Sequence, residues 1–278
     1  MPEFPEVHRQ VVWLRERVTG WVIEDHGHFG GHFPEMKSDP DRKTKLDEFF
    51  RGATLSSVTQ RGKHIVMALS TGTVTSHLMH AGRWTMSDEP YVSNYRHHLS
   101  PPDKKASSFW LVARGRRLEF NEPERRGKVH AFPGITSAQC EELKALGPDV
   151  LITQESDPAY RQAWTVDSLR RSLSGSRKAV KEILLDQGHQ AGIGNMYACE
   201  ALYRAKIAPN RAANAVTPTE AAVLHGAVVD LMAAVIASDL DYTDVMKVYR
   251  KETDPAGRAV QVIKIGGRDT YWVPEEQR

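Results

Sequence analysis

Apolar residues at Val7, Val11, Leu14 and Val18 recur at every third or fourth position, which predicts an amphipathic helix from the start of the chain to a stop at Gly20. From about Trp21 to Phe132 the pattern changes to short apolar or alternating segments divided by turn residues. His64 to Leu69, Val74 to Leu78, Phe109 to Ala113 and Arg117 to Phe120 read as strands. The polar stretch Asp39 to Lys45 reads as an exposed loop within this β-rich part. Leu146-Gly147-Pro148-Asp149 then punctuates the chain, and the segment to about Thr165 reads as a connection. Helical spacing takes over. Val180, Ile183 and Leu184 share one face, a second helix is predicted after Gly192-Ile193-Gly194-Asn195 with Asn195 as its N-cap, and a third runs from Thr219 to about Ile236. At the end, Val260, Val262 and Lys264 alternate into Gly266-Gly267 and Thr270-Tyr271-Trp272-Val273, a hairpin signal. A lone hairpin is marginal, so it is expected to pack on the helices or on Tyr249 and Trp272.

These elements predict an α+β protein: a β-rich domain over residues 1–148, a connection over 149–165, a helical domain over 166–247 and a hairpin over 248–278. A length of 278 residues accommodates two ordinary domains with real cores. With 40% hydrophobic and 26% charged residues the composition is that of a globular protein, with no apolar run that approaches a membrane span and no signal peptide. Two cysteines, Cys140 and Cys199, make neither a disulfide framework nor a metal cluster and suit a reducing cytoplasm. A net charge of +2 does not by itself imply nucleic-acid binding. The basic residues are nevertheless clustered, with Arg114, Arg116, Arg117, Arg125, Arg126 and Lys128 in one segment and Arg170, Arg171, Arg177, Lys178 and Lys181 in another. Solvated surface is the simpler account of either cluster taken alone.

Candidate chemistry sits at the start, in Met1-Pro2-Glu3-Phe4-Pro5-Glu6. Removal of Met1 would leave Pro2 with a free secondary amine beside two carboxylates. An α-amino group titrates near roughly pH 7.7–8.0, so a useful fraction is nucleophilic at neutral pH and would form an iminium with a sugar aldehyde carbon. The same residues also suit a plain helix start, where proline and acids favour the positive end, and the motif alone favours that account.

Five separated motifs decide the matter. They are Met1-Pro2-Glu3-Phe4-Pro5-Glu6; Arg61-Gly62-Lys63; Phe120-Asn121-Glu122-Pro123; Leu184-Leu185-Asp186-Gln187 with Ala191-Gly192-Ile193-Gly194-Asn195; and Gly267-Arg268-Asp269-Thr270. In this order they resemble the formamidopyrimidine-DNA glycosylase and endonuclease VIII family over nearly the whole chain. The resemblance implies an N-terminal β-sandwich domain with a leading helix, then a helix-two-turn-helix domain ending in a finger hairpin. It also implies a bifunctional glycosylase and AP lyase acting on damaged double-stranded DNA, with single-stranded DNA left open. By motif, Pro2 would attack C1′, Glu3 would shuttle protons, Glu6 would tune or hold the amine, and Lys63 would meet lesion phosphates. Gly192, Gly194 and Asn195 would grip a phosphate at the turn between helices, while in isolation the glycines read as structural. Arg268 would bind phosphates flanking the flipped nucleotide, whose extrusion costs on the order of a few kcal/mol. Asn121 and Arg125 belong to the motif at the DNA face. No cofactor, no membrane and a monomer are expected, in the cytoplasm or on the nucleoid.

The chain departs from the family pattern in three places. The family's usual finger is a four-cysteine zinc ribbon, but Val273 and Glu276 stand where the second pair would fall, and Val260 to Arg278 contains no Cys or His. A zincless finger held by packing alone is expected, and His26, His28 and His32 read as surface residues. Next, His80, Glu124 and Arg126 replace the methionine, arginine and phenylalanine that fill the gap left by the flipped base, with Met79 an alternative to His80. Finally, Ala237 to Lys247 is too short for the loop that cups 8-oxoguanine. The expected substrates are therefore oxidised pyrimidines, abasic sites or ring-opened purines. Two rivals remain: a damaged-DNA binder without turnover, and an enzyme specialised for bulky adducts or crosslinks.

Overall fold

The computed structural model describes residues 2–28, 35–36, 42–89, 107–124, 126–238 and 242–278, with backbone alone at 35–36, 42–44, 107 and 242–243. Its contacts group into two compact units. The first holds Met1–Pro2, Glu6–Lys144 and Thr153–Tyr160, and the second holds Glu3–Pro5, Ala145–Ile152 and Arg161–Arg278.

In the first unit, helix α1 (Phe4–Val18) carries the expected stripe, and Val7, Val11, Leu14 and Val18 are all fully buried. Each such side chain stabilises by roughly 1.5–3 kcal/mol when buried, and Arg15 and Arg17 in the last turn suit the helix's negative end. The stripe lies in one core with residues from two sheets. One sheet is antiparallel in the order β1-β7-β8-β6: Asp25–His28, Ser107–Ala113, Arg116–Asn121 and Arg83–Met86. The other has the order β2-β9-β5-β4-β3: Glu35–Met36, Lys128–Pro133, Gly72–His77, His64–Leu69 and Leu55–Arg61, with only β2 and β9 parallel. Trp84, Phe109 and Phe120 from the first sheet and Ile65, Met67, Val74 and Val129 from the second fill the shared core, so the α+β sandwich with its leading helix is present.

One sequence expectation needs correction here, and one gains detail. The polar stretch ending at Lys45 runs into a helix, α2 (Arg42–Phe50), because Leu46, Phe49 and Phe50 anchor it by burial; Asp39 lies outside the described residues. Three residues of the first basic cluster stay at the surface, as expected, and make contacts within their own unit. Arg116 pairs with Asp88 and Glu89, Arg117 pairs with Glu119 and stacks on Trp110, and Arg114 donates to the Gly20 carbonyl.

The second unit is helical. It comprises α4 (Val166–Ser174), capped by Thr165; α5 (Val180–Leu185); α6 (Asn195–Arg204); α7 (Pro218–Ala237), capped by Thr217 with Pro218 at its start; and α8 (Tyr242–Val245). A short helix, α3 (Glu141–Lys144), precedes them in the chain. Contrary to expectation, one helix among the described residues is long and apolar enough to cross a membrane: α7, with a mean hydropathy of 1.7. Its Ala221, Leu224, Val228, Leu231, Met232 and Val235 recur at helical spacing inside the unit's core, which accounts for the composition without a bilayer. The chain closes with the predicted hairpin, β10 (Gln261–Ile265) and β11 (Arg268–Trp272). Gly266 and Gly267 both have positive φ, as the tight two-residue turn demands.

Candidate active site

In the second unit the site begins at Glu3. Its carboxylate is buried and accepts three backbone N–H bonds, from Gly194 at 2.6 Å, Met196 at 2.8 Å and Tyr197 at 3.3 Å. These are the free donors at the start of α6, where a negative charge is favoured. Asn195 is therefore not the N-cap, as its sequence position suggested. Gly194 holds that position without a side-chain bond, and Glu3 caps the helix from elsewhere in the chain. This explains the glycine: a Cβ on Gly194 would lie 2.4 Å from Cδ of Glu3. Gly192, with φ +118°, accepts the Phe4 N–H at 3.1 Å, and a Cβ there would meet the Phe4 ring at 2.8 Å. Both glycines make room for the N-terminal segment, which stitches Glu3 and Phe4 to the turn.

Freed from capping, Asn195 links three elements. Its Nδ2 donates to the Asp269 carbonyl at 2.9 Å, and its Oδ1 accepts from Lys181 Nζ at 2.6 Å. Lys181 also donates to Thr270 Oγ1 at 2.5 Å and is fully buried. The sequence reads this lysine as one of a cluster of surface cations, and only its place between apolar Val180 and Ile183, both buried, points inward. Burial lowers its pKa, and the nearby charge of Arg268 adds to that. Arg268 itself is exposed at the first position of β11. Glu200, also fully buried, accepts N–H bonds from Lys247, Val248 and Tyr249 at 2.9, 2.7 and 2.7 Å. It thus fixes the segment leading to Tyr249, whose ring meets Tyr271 edge-on at 5.1 Å.

The remaining candidates belong to the first unit. Pro2 is partly buried and Glu6 is buried in the first turn of α1. Lys63 is buried at the turn between β3 and β4. Beside it in the chain, His64 pairs across the sheet with His77, their rings 5.1 Å apart. Both histidines line a cavity of about 290 Å³ with Thr75, Met79, Lys128, His130 and Glu142. Burial pushes His64 down to about 4. Burial, helped by the charges of His64, Lys63 and Lys128, pushes His77 down to about 3. His77 Nδ1 accepts the Met79 N–H at 3.0 Å, which leaves Nε2–H as a neutral donor. Burial pushes the Glu142 carboxyl up, but bonds from His130 and Thr75 outweigh it and bring the group down to about 2.

His80 and Glu124 meet at an exposed tip, Nδ1 to Oε2 at 3.0 Å, with Arg126 Nε at 3.6 Å from the same oxygen. Met79 instead lines the cavity. Asn121, expected at the DNA face, is turned inward: it is buried, and its Nδ2 donates to Thr85 Oγ1 at 2.7 Å because β6 pairs with β8 there. Arg125 and His32 lie outside the described residues. Glu122, which sequence reasoning passed over, is fully buried and accepts N–H bonds from Glu124, Arg126 and Gly127, so it shapes the tip.

Residues 1–129 match the profile of the formamidopyrimidine-DNA glycosylase N-terminal domain, and residues 155–246 match that of the formamidopyrimidine-DNA glycosylase H2TH domain. The chain belongs to the formamidopyrimidine-DNA glycosylase and endonuclease VIII family. Its coarse activity is that of this family, a DNA glycosylase of base excision repair. Among similar proteins, the formamidopyrimidine-DNA glycosylase of Desulforamulus reducens is 29% identical over 296 residues, covering 100% of this chain and 99% of the relative. That of Ruegeria pomeroyi is 29% identical over 299 residues, covering all of both. Among solved structures, the Lactococcus lactis enzyme bound to DNA with an AP site superposes with a TM-score of 0.82 at 22% identity over 99% of each chain, which establishes the fold.

Proposed function

We propose that the protein is a bifunctional DNA glycosylase and AP lyase whose nucleophile is the amine of Pro2 once Met1 is removed. The observation that carries this is the Glu3 anchor: the carboxylate next in the chain after Pro2 is held by three backbone donors and by the space Gly194 leaves. In the reaction, the Pro2 nitrogen lone pair bonds to C1′. The damaged base departs with the glycosidic electron pair and takes up a proton. The nitrogen, now an ammonium, gives its proton to Glu3, which passes it to the ring oxygen; that oxygen leaves C1′ as an alcohol, and the nitrogen lone pair closes the iminium. The iminium acidifies the C2′ hydrogen, so the 3′ phosphate leaves by β-elimination and the 5′ phosphate by δ-elimination. Water then frees Pro2.

Glu6 holds or tunes the amine, and Lys63, Asn195 and Arg268 bind phosphates around the lesion. The substrates are oxidised pyrimidines, abasic sites or ring-opened purines in double-stranded DNA, in keeping with the short segment from Ala237 to Lys247. A cytoplasmic, nucleoid-associated monomer fits this role.

Borohydride trapping on abasic duplex DNA tests the proposal. A covalent complex is expected with the native protein and none with Pro2→Gly, while Glu3→Gln keeps trapping on a preformed abasic site but releases no base. Tight binding without trapping would instead mark a damaged-DNA binding protein. Retention of Met1 in the intact mass would remove the amine and the mechanism with it. A lesion panel that includes 8-oxoguanine opposite cytosine and a crosslinked duplex settles the substrate class.

A further inference from the structure

The family's usual finger contains zinc, and the residues here do not fit it. No Cys or His occurs anywhere from Tyr249 to Arg278, and Val273, at one expected ligand position, is fully buried. Glu276, at the other, has both oxygens taken: Lys206 Nζ lies 2.8 Å from Oε1, and Arg258 Nη1 donates to Oε2. Packing within the ribbon itself is slight. Of the ten residues in β10 and β11 only Ile265 and Thr270 are buried, and Val262 stands 54% exposed, so the ribbon has no core of its own.

Ion pairs close the base of the ribbon instead. Asp254 Oδ1 accepts the N–H of Ala256 and of Arg258, both at 2.9 Å, which folds 254–258 into a tight turn. Asp254 Oδ2 accepts from Arg258 Nε at 2.8 Å and from Tyr203 of α6 at 3.0 Å, with Arg258 Nη2 at 2.6 Å. The Arg258 fork is thus clamped on one side by Asp254 and on the other by Glu276, which lies beyond β11 and is held in turn by Lys206 just after α6. Gln277 completes the join, accepting from the Val273 N–H at 2.8 Å and donating to the Ile207 carbonyl at 2.9 Å. Asp254 is buried with every oxygen partnered. Burial raises its pKa, yet the Arg258 bonds bring it down to about 2; the Lys206 and Arg258 bonds likewise lower that of Glu276.

We propose that the chain Asp254–Arg258–Glu276–Lys206 takes the place of the finger's metal and, by fixing the strand ends of a ribbon whose tip carries Arg268, positions that arginine on lesion DNA. The four are positioning residues, and the proposal rests on Arg268 meeting DNA phosphate. The tip has its own ties, Thr270 to Lys181 and Asp269 to Asn195, so the clasp sets the direction and rigidity of the ribbon from its opposite end.

A double-mutant cycle in the full-length protein tests this. Glu276→Gln alone is expected to raise KM for lesion duplex about tenfold with single-turnover kcat within about twofold, Arg268→Ala to raise it at least as much, and the pair to be no worse than Arg268→Ala. Arg258→Lys should keep most of the native KM, whereas Arg258→Met should behave like Glu276→Gln. Purified protein should contain no stoichiometric zinc, and EDTA should leave cleavage unchanged. Fully additive effects of Glu276→Gln and Arg268→Ala, an unchanged KM in Glu276→Gln, or stoichiometric zinc whose removal abolishes cleavage would overturn the proposal. Amide hydrogen exchange separates its failure from that of the enzymatic reading. If the native protein cleaves nothing, faster exchange of β10 and β11 amides in Glu276→Gln would still show the clasp, and unchanged exchange would refute it.

Discussion

Glu3 and Glu124 are both carboxylates at candidate DNA-handling positions, and their surroundings could hardly differ more. Glu3 is 1% exposed and held by three backbone N–H groups. The Glu124 side chain is 46% exposed and shares one oxygen between the side chains of His80 and Arg126. A carboxylate held by backbone donors has its place set by the fold, so the chemistry beside it is constant whatever the side chains around it. One held by other side chains changes partners with each substitution. The first arrangement suits a reacting group, the second a surface that adapts to what it contacts.

The contrast can be broken most severely at Gly194. Gly194→Ala places a Cβ against the Glu3 carboxylate and should cost about 2 kcal/mol or more of stability and at least about a hundredfold in base release. Urea unfolding and single-turnover excision would measure both, and near-native excision would mean that the Glu3 anchor is irrelevant to chemistry. Lys181→Met comes next. It leaves Asn195 Oδ1 and Thr270 Oγ1 without their buried donor, at about 1–3 kcal/mol, and should weaken lesion binding more than it slows trapping on abasic DNA.

Acid extends the contrast to buried histidines of the first unit. His64 and His77 titrate near 4 and 3 when folded, against 6.5 for the free side chain, so between these limits the unfolded chain binds more protons. Stability from this source is complete above pH 6.5 and is lost as pH falls toward 3. Glu142, with its carboxyl lowered from 4.5 to about 2, adds to the loss below about pH 4.5. Urea midpoints between pH 7.5 and 4 should decline, and His77→Gln should flatten the decline. Glu124→Gln should have the smallest effect, under about 1 kcal/mol, because its ion pairs are exposed. Its consequence is expected in the choice of base opposite the lesion, read from cleavage of one lesion opposite each of the four bases.

Much of the architecture was legible in the chain. The Val7 to Val18 stripe, the strand segments and the Gly266-Gly267 turn are local patterns whose period or backbone requirement leaves few alternatives. Asn195 misled because its local preference for a cap was overridden by a carboxylate 192 positions away, as Glu3 is to Asn195 in the numbering. Lys181 misled because a lysine among arginines looks solvated until two distant acceptors, Asn195 and Thr270, surround it. For Asn121 the motif marks the position without saying which way the side chain turns, and the structure turns it toward Thr85.

By itself the sequence determined most of the elements and the family, and it supplied the candidate groups: a proline beside glutamates, clustered basic residues, and a finger without Cys or His. These follow from residue type and short-range spacing. Only the tertiary structure decided that Gly194 exists for Glu3, that Lys181 is an internal strut, and that Asp254, Arg258 and Glu276 close the finger where a metal would otherwise stand. The physical reason is common to all three: a buried charge is tolerable only beside its partners, and those partners come from parts of the chain that no local pattern connects.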